Sequence, residues 1–196
     1  MKKLYYILLI AILIVSCNKN SEEDVQKKDE TTKKIESEIL GQVVLQNDTV
    51  LKIADFQMSL PPNWINEEPS SEMRIVQYAL KEDENIKILG FYFGDRPEMA
   101  DANIERWKAE FTKTDDFKTE EFADGKIKFV LISGTYKKKP FPMSQDFTET
   151  PDYMTVAAIV PSSNGPYFFK AVGPKKTIEN DLPNFRAFLS SYKKIQ

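Results

Sequence analysis

The chain has 196 residues, with 27 lysines and arginines against 30 aspartates and glutamates, for a formal net charge of −3. That near-balance excludes a nucleic-acid binder that works by neutralising phosphates. Histidine is absent and the single cysteine is Cys17, which excludes Cys/His zinc sites, Ser-His-Asp and Cys-His nucleophiles, histidine general bases, histidine-ligated haem and any intramolecular disulfide.

At this length one ordinary domain and additional segments are expected. Lys2 and Lys3 precede an uncharged apolar stretch from Leu4 to Val15. That stretch is shorter than the roughly 20 residues a transmembrane helix needs, and has the length of a signal-peptide core. It ends at Ile14-Val15-Ser16-Cys17, which resembles a bacterial lipobox. The small residue lets a peptidase approach the backbone, and the thiol accepts a diacylglycerol. Residues 1–16 are therefore expected to be a cleaved signal peptide and Cys17 the lipidation site. Acyl chains stabilise membrane attachment by about 0.8 kcal/mol per buried CH₂. Lipidation also leaves the mature chain without a free thiol, which suits an oxidising envelope compartment.

Residues 17–42 read as a lipidated, flexible, charged tether. Of the 21 residues from 18 to 38, twelve are charged, and Val25 and Ile35 are the only aliphatic ones. Such a segment buries too little apolar area to offset its ordering entropy. Asn18 stands where enteric inner-membrane lipoproteins carry aspartate, which favours the outer membrane. The run Glu22-Glu23-Asp24 resembles acidic surface-export signals, so the periplasmic and surface faces both stay open. The three acids lack the alternating spacing and turn glycine of a calcium loop.

From residue 43 to 196 the pattern is that of a single α+β domain. Val50 to Ala54 and Phe56 to Leu60 read as paired strands, the second ending at Pro61-Pro62. Met73 to Leu80 and Ile86 to Phe93 follow, joined by a polar KEDEN turn. The middle of the latter run is apolar on both faces, as in a covered central strand. A helix is expected over 101–112, capped by Asp101, with Ala100, Ile104, Trp107 and Phe111 on one stripe. Asp124-Gly125 joins Phe117–Phe122 to Lys126–Tyr136 as a hairpin. Lys137 to Thr150 reads as a loop, Met154 to Val160 and Tyr167 to Val172 as strands around a turn at 162–166. The last element is a helix over 177–193, with Ile178, Leu182, Phe185, Leu189 and Tyr192 buried. Pro183 predicts a kink there, or a restart capped by Asp181. Tight turns imply a mostly antiparallel sheet, and strands apolar on both faces imply a helix on each face, an α/β/α sandwich.

The stretch Phe56-Gln57-Met58-Ser59-Leu60-Pro61-Pro62-Asn63-Trp64 resembles the opening of PsbP-like domains, an aromatic and hydrophobic alternation closed by Pro-x-x-Trp. Phe91-Tyr92-Phe93-Gly94, Asn103 to Trp107, Ser133-Gly134-Thr135-Tyr136 and Gly165 to Pro174 resemble a bacterial lipoprotein family distantly related to it. The likeness spans residues 50–192. It implies a PsbP-like fold and a non-enzymatic binding or assembly role, as in the extrinsic photosystem II subunits and a nuclear-import factor of that superfamily. It brings no catalytic residue set.

The candidate chemistry is sparse. Glu120 and Glu121 are neighbours on a strand and point to opposite faces, so they cannot act on one substrate as acid and base. Ser133 lies within strand, away from any nucleophile elbow. Gly94 and Asp95 to Pro97 end a central strand, where glycine permits a close backbone approach. Arg106 is a candidate for a structural ion pair or for recognising a ligand or partner. Trp64 is a candidate for packing over the sheet end or for the lip of a groove. Lys137–Lys139 and Lys175–Lys176 are two basic clusters in loops, solvated or facing an anionic envelope surface. No residue set nominates a metal or cofactor.

The expected function is a lipid-anchored cell-envelope binding or assembly module without catalysis. Its partners would be the membrane, through the anchor, and an envelope protein or small ligand, with no nucleic acid. The alternatives are a carboxylate-dependent envelope hydrolase and a structural or immunity-type lipoprotein.

Overall fold

The computed structural model describes residues 44–46 and 49–195. The signal peptide expected at 1–16, the lipidation site Cys17 and the tether at 17–42 lie outside the described residues. In chain order the elements are β1 (Val44–Gln46), β2 (Val50–Ile53), β3 (Phe56–Ser59), β4 (Trp64–Glu67), β5 (Arg74–Leu80), β6 (Asp83–Tyr92), α1 (Met99–Ala109), β7 (Phe111–Phe122), β8 (Ile127–Lys138), β9 (Thr148–Val160), β10 (Tyr167–Pro174), α2 (Lys175–Ser190) and β11 (Lys193–Lys194). Among the described residues, no helix is long and apolar enough to cross a membrane.

The strands form two sheets. Four make the order β1-β2-β3-β11, and seven make β4-β5-β6-β10-β9-β8-β7. Every pairing among the described residues is antiparallel. The mostly antiparallel architecture with two helices is therefore as the sequence predicts. The second sheet is longer-stranded than the sequence implies. The KEDEN turn shrinks to Lys81-Glu82, because Asp83 to Asn85 already belong to β6. The loop expected over 137–150 shrinks to residues 139–147, because Lys137 and Lys138 pair with Glu149 and Thr148.

Helix α1 differs from expectation at both ends. It starts at Met99, and Asp101 lies inside its first turn rather than capping it. It stops at Ala109, and Phe111 opens β7. Phe111 still packs with Ile104 and Trp107, so the stripe is right and only the element carrying its last member changes. Helix α2 runs without a restart through Pro183, so Asp181 is not a cap. A proline in a helix interior costs about 3 kcal/mol. Burial of Ile178, Phe185, Phe188 and Leu189 offsets it, at about 1.5–3 kcal/mol for each large apolar side chain. Lys175 and Lys176, expected in a loop, are the first two residues of α2.

Two apolar clusters hold the unit together. In the first, Ile178, Phe185, Phe188 and Leu189 of α2 meet Phe129, Leu131, Val156, Ala158 and Phe169, with Leu51, Ile53, Phe56 and Met58 of the smaller sheet. In the second, Ile104 and Trp107 of α1 meet Val130, Ile132, Ala157, Ile159 and Phe168. Adjacent residues of β8, β9 and β10 thus alternate between the two clusters, following the two-residue period of a strand.

Two glycines are required by close approach. Gly134 has φ +155°, next to the register shifts that bend β7 and β8, and a Cβ there would lie 2.0 Å from the Lys113 carbonyl oxygen. Gly165 has φ +103°, and its Cβ would lie 2.6 Å from Asp95 Cα. The backbone approach suspected near Gly94 and Asp95 thus comes from the 162–166 turn, which is also tied down by Tyr92 Oη donating to the Asn164 carbonyl.

Candidate functional site

A cleft of about 140 Å³ lined mostly by polar side chains lies between β7 and α2. Strand period places Asp116, Lys118 and Glu120 of β7 on one face of that strand, and helix period brings Lys175, Glu179, Leu182 and Arg186 of α2 opposite. Leu131, Ser133 and Met154 complete the lining. The sheet register explains this: Asp116 stands opposite Ser133, Ser133 opposite Met154, and Lys118 opposite Leu131.

The cleft carries three acids and three cations. Arg186 grips Glu120 with two bonds, Nε to Oε2 at 2.8 Å and Nη2 to Oε1 at 2.6 Å. That planar fork holds the Glu120 carboxyl below the usual carboxylate range. Lys118 Nζ lies 2.6 Å from Asp116 Oδ2, and this bond likewise lowers the Asp116 carboxyl. Lys175 Nζ is 3.8 Å from Glu179 Oε1. Both β7 acids are therefore charged near neutral pH, each beside its own cation.

Sequence reasoning missed this cleft because it began β7 at Phe117. Starting the strand at Phe111 puts Asp116 in register with Glu120, so two acids do share one face. The usable signal was the alternation Asp116, Lys118, Glu120 itself. Glu121, as expected of its neighbour position, does not line the cleft.

The two candidate recognition residues lie elsewhere. Trp64 opens β4 and is 6% exposed, in the core rather than at a lip. Its ring stands 4.8 Å from Phe185 and 5.0 Å from Phe188, centroid to centroid, and its Nε1 donates to Asp181 Oδ2 at 2.9 Å. Arg106 is exposed on α1. It has no carboxylate within ion-pair distance among the described residues; its guanidinium donates to Asn103 Oδ1 and lies 5.9 Å from the Phe93 ring centroid. The ion pair of that region belongs to Lys170 of β10, whose Nζ contacts both Glu110 carboxylate oxygens. Burial pushes the Lys170 ammonium down from its ordinary value, against the pull of Glu110. Among the described residues, no group of three or more acidic side chains is placed to hold a metal ion.

No protein-family model and no curated protein sequence matches the chain. Its structure is similar to the solution structure of cyanobacterial PsbP from Synechocystis sp. PCC 6803, with a TM-score of 0.47 and 9% identity, over 76% of this chain and 95% of that one.

Proposed function

We propose that the protein is a bacterial lipoprotein, a cell-envelope binding or assembly module with no catalytic activity of its own. In this reading residues 1–16 are removed, Cys17 carries the lipid, 17–42 form the tether and 43–196 the single domain. The domain is a three-layered, PsbP-like sandwich with α1 on one face of the seven-stranded sheet and α2 on the other. The lipid anchor lies in the outer membrane.

The observation that supports binding over hydrolysis is the state of the cleft. General acid catalysis near neutral pH needs a carboxyl whose pKa is raised. Arg186 and Lys118 lower those of Glu120 and Asp116. A surface with cations and acids in balance fits a partner or ligand that brings both charges. The competing reading, a carboxylate-dependent hydrolase, draws on Asp116 and Glu120 sharing one face.

Two measurements test the reading. Intact-mass analysis of membrane-extracted protein should give a chain that starts at an acylated Cys17, and Cys17→Ala should release or stall it. Ester, glycoside, peptide and phosphoester substrates, with and without divalent metal, should show no saturable turnover. Turnover abolished by Asp116→Asn or Glu120→Gln would establish the hydrolase instead.

A further inference from the structure

The end of the β8–β9 hairpin gathers three of the six exposed large apolar side chains among the described residues. Phe141, Met143 and Phe147 are 60%, 84% and 44% exposed. They are not on a loose loop. The Ser144 amide donates to the Phe141 carbonyl at 3.0 Å, and the buried Ser144 hydroxyl bridges the amide and carbonyl of Asp146, both at 3.0 Å. Pro140 and Pro142 bracket Phe141 and restrict the backbone further. The turn therefore holds Phe141 and Met143 outward, at little further ordering cost on contact.

The charges at its base are three lysines, Lys137 to Lys139, and two acids, Asp146 and Glu149. Lys137 is engaged, donating to the Ala109 carbonyl at 2.9 Å and lying 5.8 Å from the Phe147 ring centroid. Lys138 and Lys139 are exposed and form no ion pair among the described residues. Asp146 and Glu149 are exposed and likewise form no ion pair among the described residues, so the base carries an excess of one cation, with Glu149 opposite Lys137 in the register.

We propose that this hairpin end is a second membrane contact: Phe141 and Met143 enter the interfacial layer of a bilayer, while Lys138 and Lys139 meet anionic phosphate headgroups. The proposal rests on the lipid-anchor reading, because the anchor keeps the domain at the surface. With the chain anchored, even a weak surface contact becomes intramolecular and effective. A protein partner fits less well. An aromatic side chain buries about 150–250 Å², and Phe141, Met143 and Phe147 are already partly covered, so together they offer only about half of the roughly 800 Å² per partner of a stable interface. A bilayer needs no complementary pocket.

The test uses the full chain carrying Phe141→Trp, with vesicles of phosphatidylglycerol and phosphatidylcholine whose acyl chains are brominated. Trp64 and Trp107 are 6% and 1% exposed, so they provide a constant background. The introduced indole should shift to the blue and be quenched. Replacing Lys138 and Lys139 by alanine should lower the ratio of quenched to unquenched indole by about fivefold per lysine, and removing phosphatidylglycerol should lower it too. A chain that sediments with vesicles but keeps an unquenched indole overturns this contact and leaves the anchor intact. A chain that does not sediment at all removes both. An indole unquenched by lipid but crosslinked in cells to one envelope protein assigns the turn to that protein and overturns the proposal.

Discussion

Asp181, 4% exposed in the middle of α2, accepts the Trp64 indole N–H at 2.9 Å and the Asn63 side-chain amide at 2.6 Å. A third donor, Asn184 Nδ2, lies 2.7 Å from Oδ1. The carboxylate thus fastens the start of β4 to the helix that covers the first apolar cluster. Replacing it with alanine strands the indole N–H and leaves a void. Asp181→Ala should cost about 3 kcal/mol, seen as a lower urea midpoint at unchanged slope. Asn184→Ala, which removes one of the three donors, should cost about 1 kcal/mol. Equal effects of the two would refute a shared carboxylate anchor.

Trp107 anchors α1 to the sheet. It is 1% exposed, and its ring stands edge-on to Phe168 at 6.4 Å between centroids. Trp107→Ala should lose about 3–5 kcal/mol, a large part of a typical 5–15 kcal/mol total, visible as a strongly lowered melting temperature. An unchanged melting curve would show that α1 is not held by this residue.

Gly134 of β8 lies opposite the register shift of β7 between Thr114 and Asp116. A methyl group there meets the Lys113 carbonyl oxygen at 2.0 Å, a backbone atom that cannot rotate away. Gly134→Ala should destabilise by at least about 2 kcal/mol and raise amide exchange in β7 more than in β5. Uniform exchange across the two strands would argue against a local strain.

The Glu120–Arg186 pair makes a pH-dependent contribution. Its folded-state carboxyl lies below the ordinary value of 4.5. The contribution is therefore fully present above that unfolded value and disappears as pH falls through the lower folded one. Both side chains are partly exposed, 31% for Glu120 and 42% for Arg186, so Glu120→Gln should cost only about 0.5–1 kcal/mol near neutral pH. Denaturant titrations of both proteins across the acid range should converge below the folded pKa. A gap that stays constant to the lowest pH would mean that the pair contributes through packing alone.

Residue spacing made much of this architecture readable. The Asp124-Gly125 hairpin, the Ile104–Trp107 stripe and the apolar runs of β6, β9 and β10 follow from local periodicity, which acts within one element. The losses occur where tertiary pairing overrides it. β4 is four residues long with one core side chain, Trp64, so alternation has nothing to repeat. β7 is almost wholly exposed after Phe111, and its polar start became strand only because β8 pairs with it. The cleft depends on that pairing, so it was invisible from one strand alone. Pro183 misled in the opposite sense: one missing hydrogen bond was weighed without the buried face that α2 gains.

Met143 also determines how the protein responds to an oxidant. Met58 and Met154 are 1% and 6% exposed, and the fold shields both thioethers, whereas Met143 is the most exposed large apolar residue described. Peroxide should therefore reach Met143 and Met73, which is 66% exposed, well before Met58 or Met154, and at Met143 it turns an apolar tip into a polar sulfoxide. Because that side chain supports no buried packing, the melting temperature should stay constant while the surface chemistry of the hairpin changes. Peptide mass mapping after graded oxidation would follow the order, and early modification of Met58 would contradict it. The same exposure that leaves Met143 free for an apolar phase thus makes the turn reversible by a methionine sulfoxide reductase, without unfolding the domain beneath it.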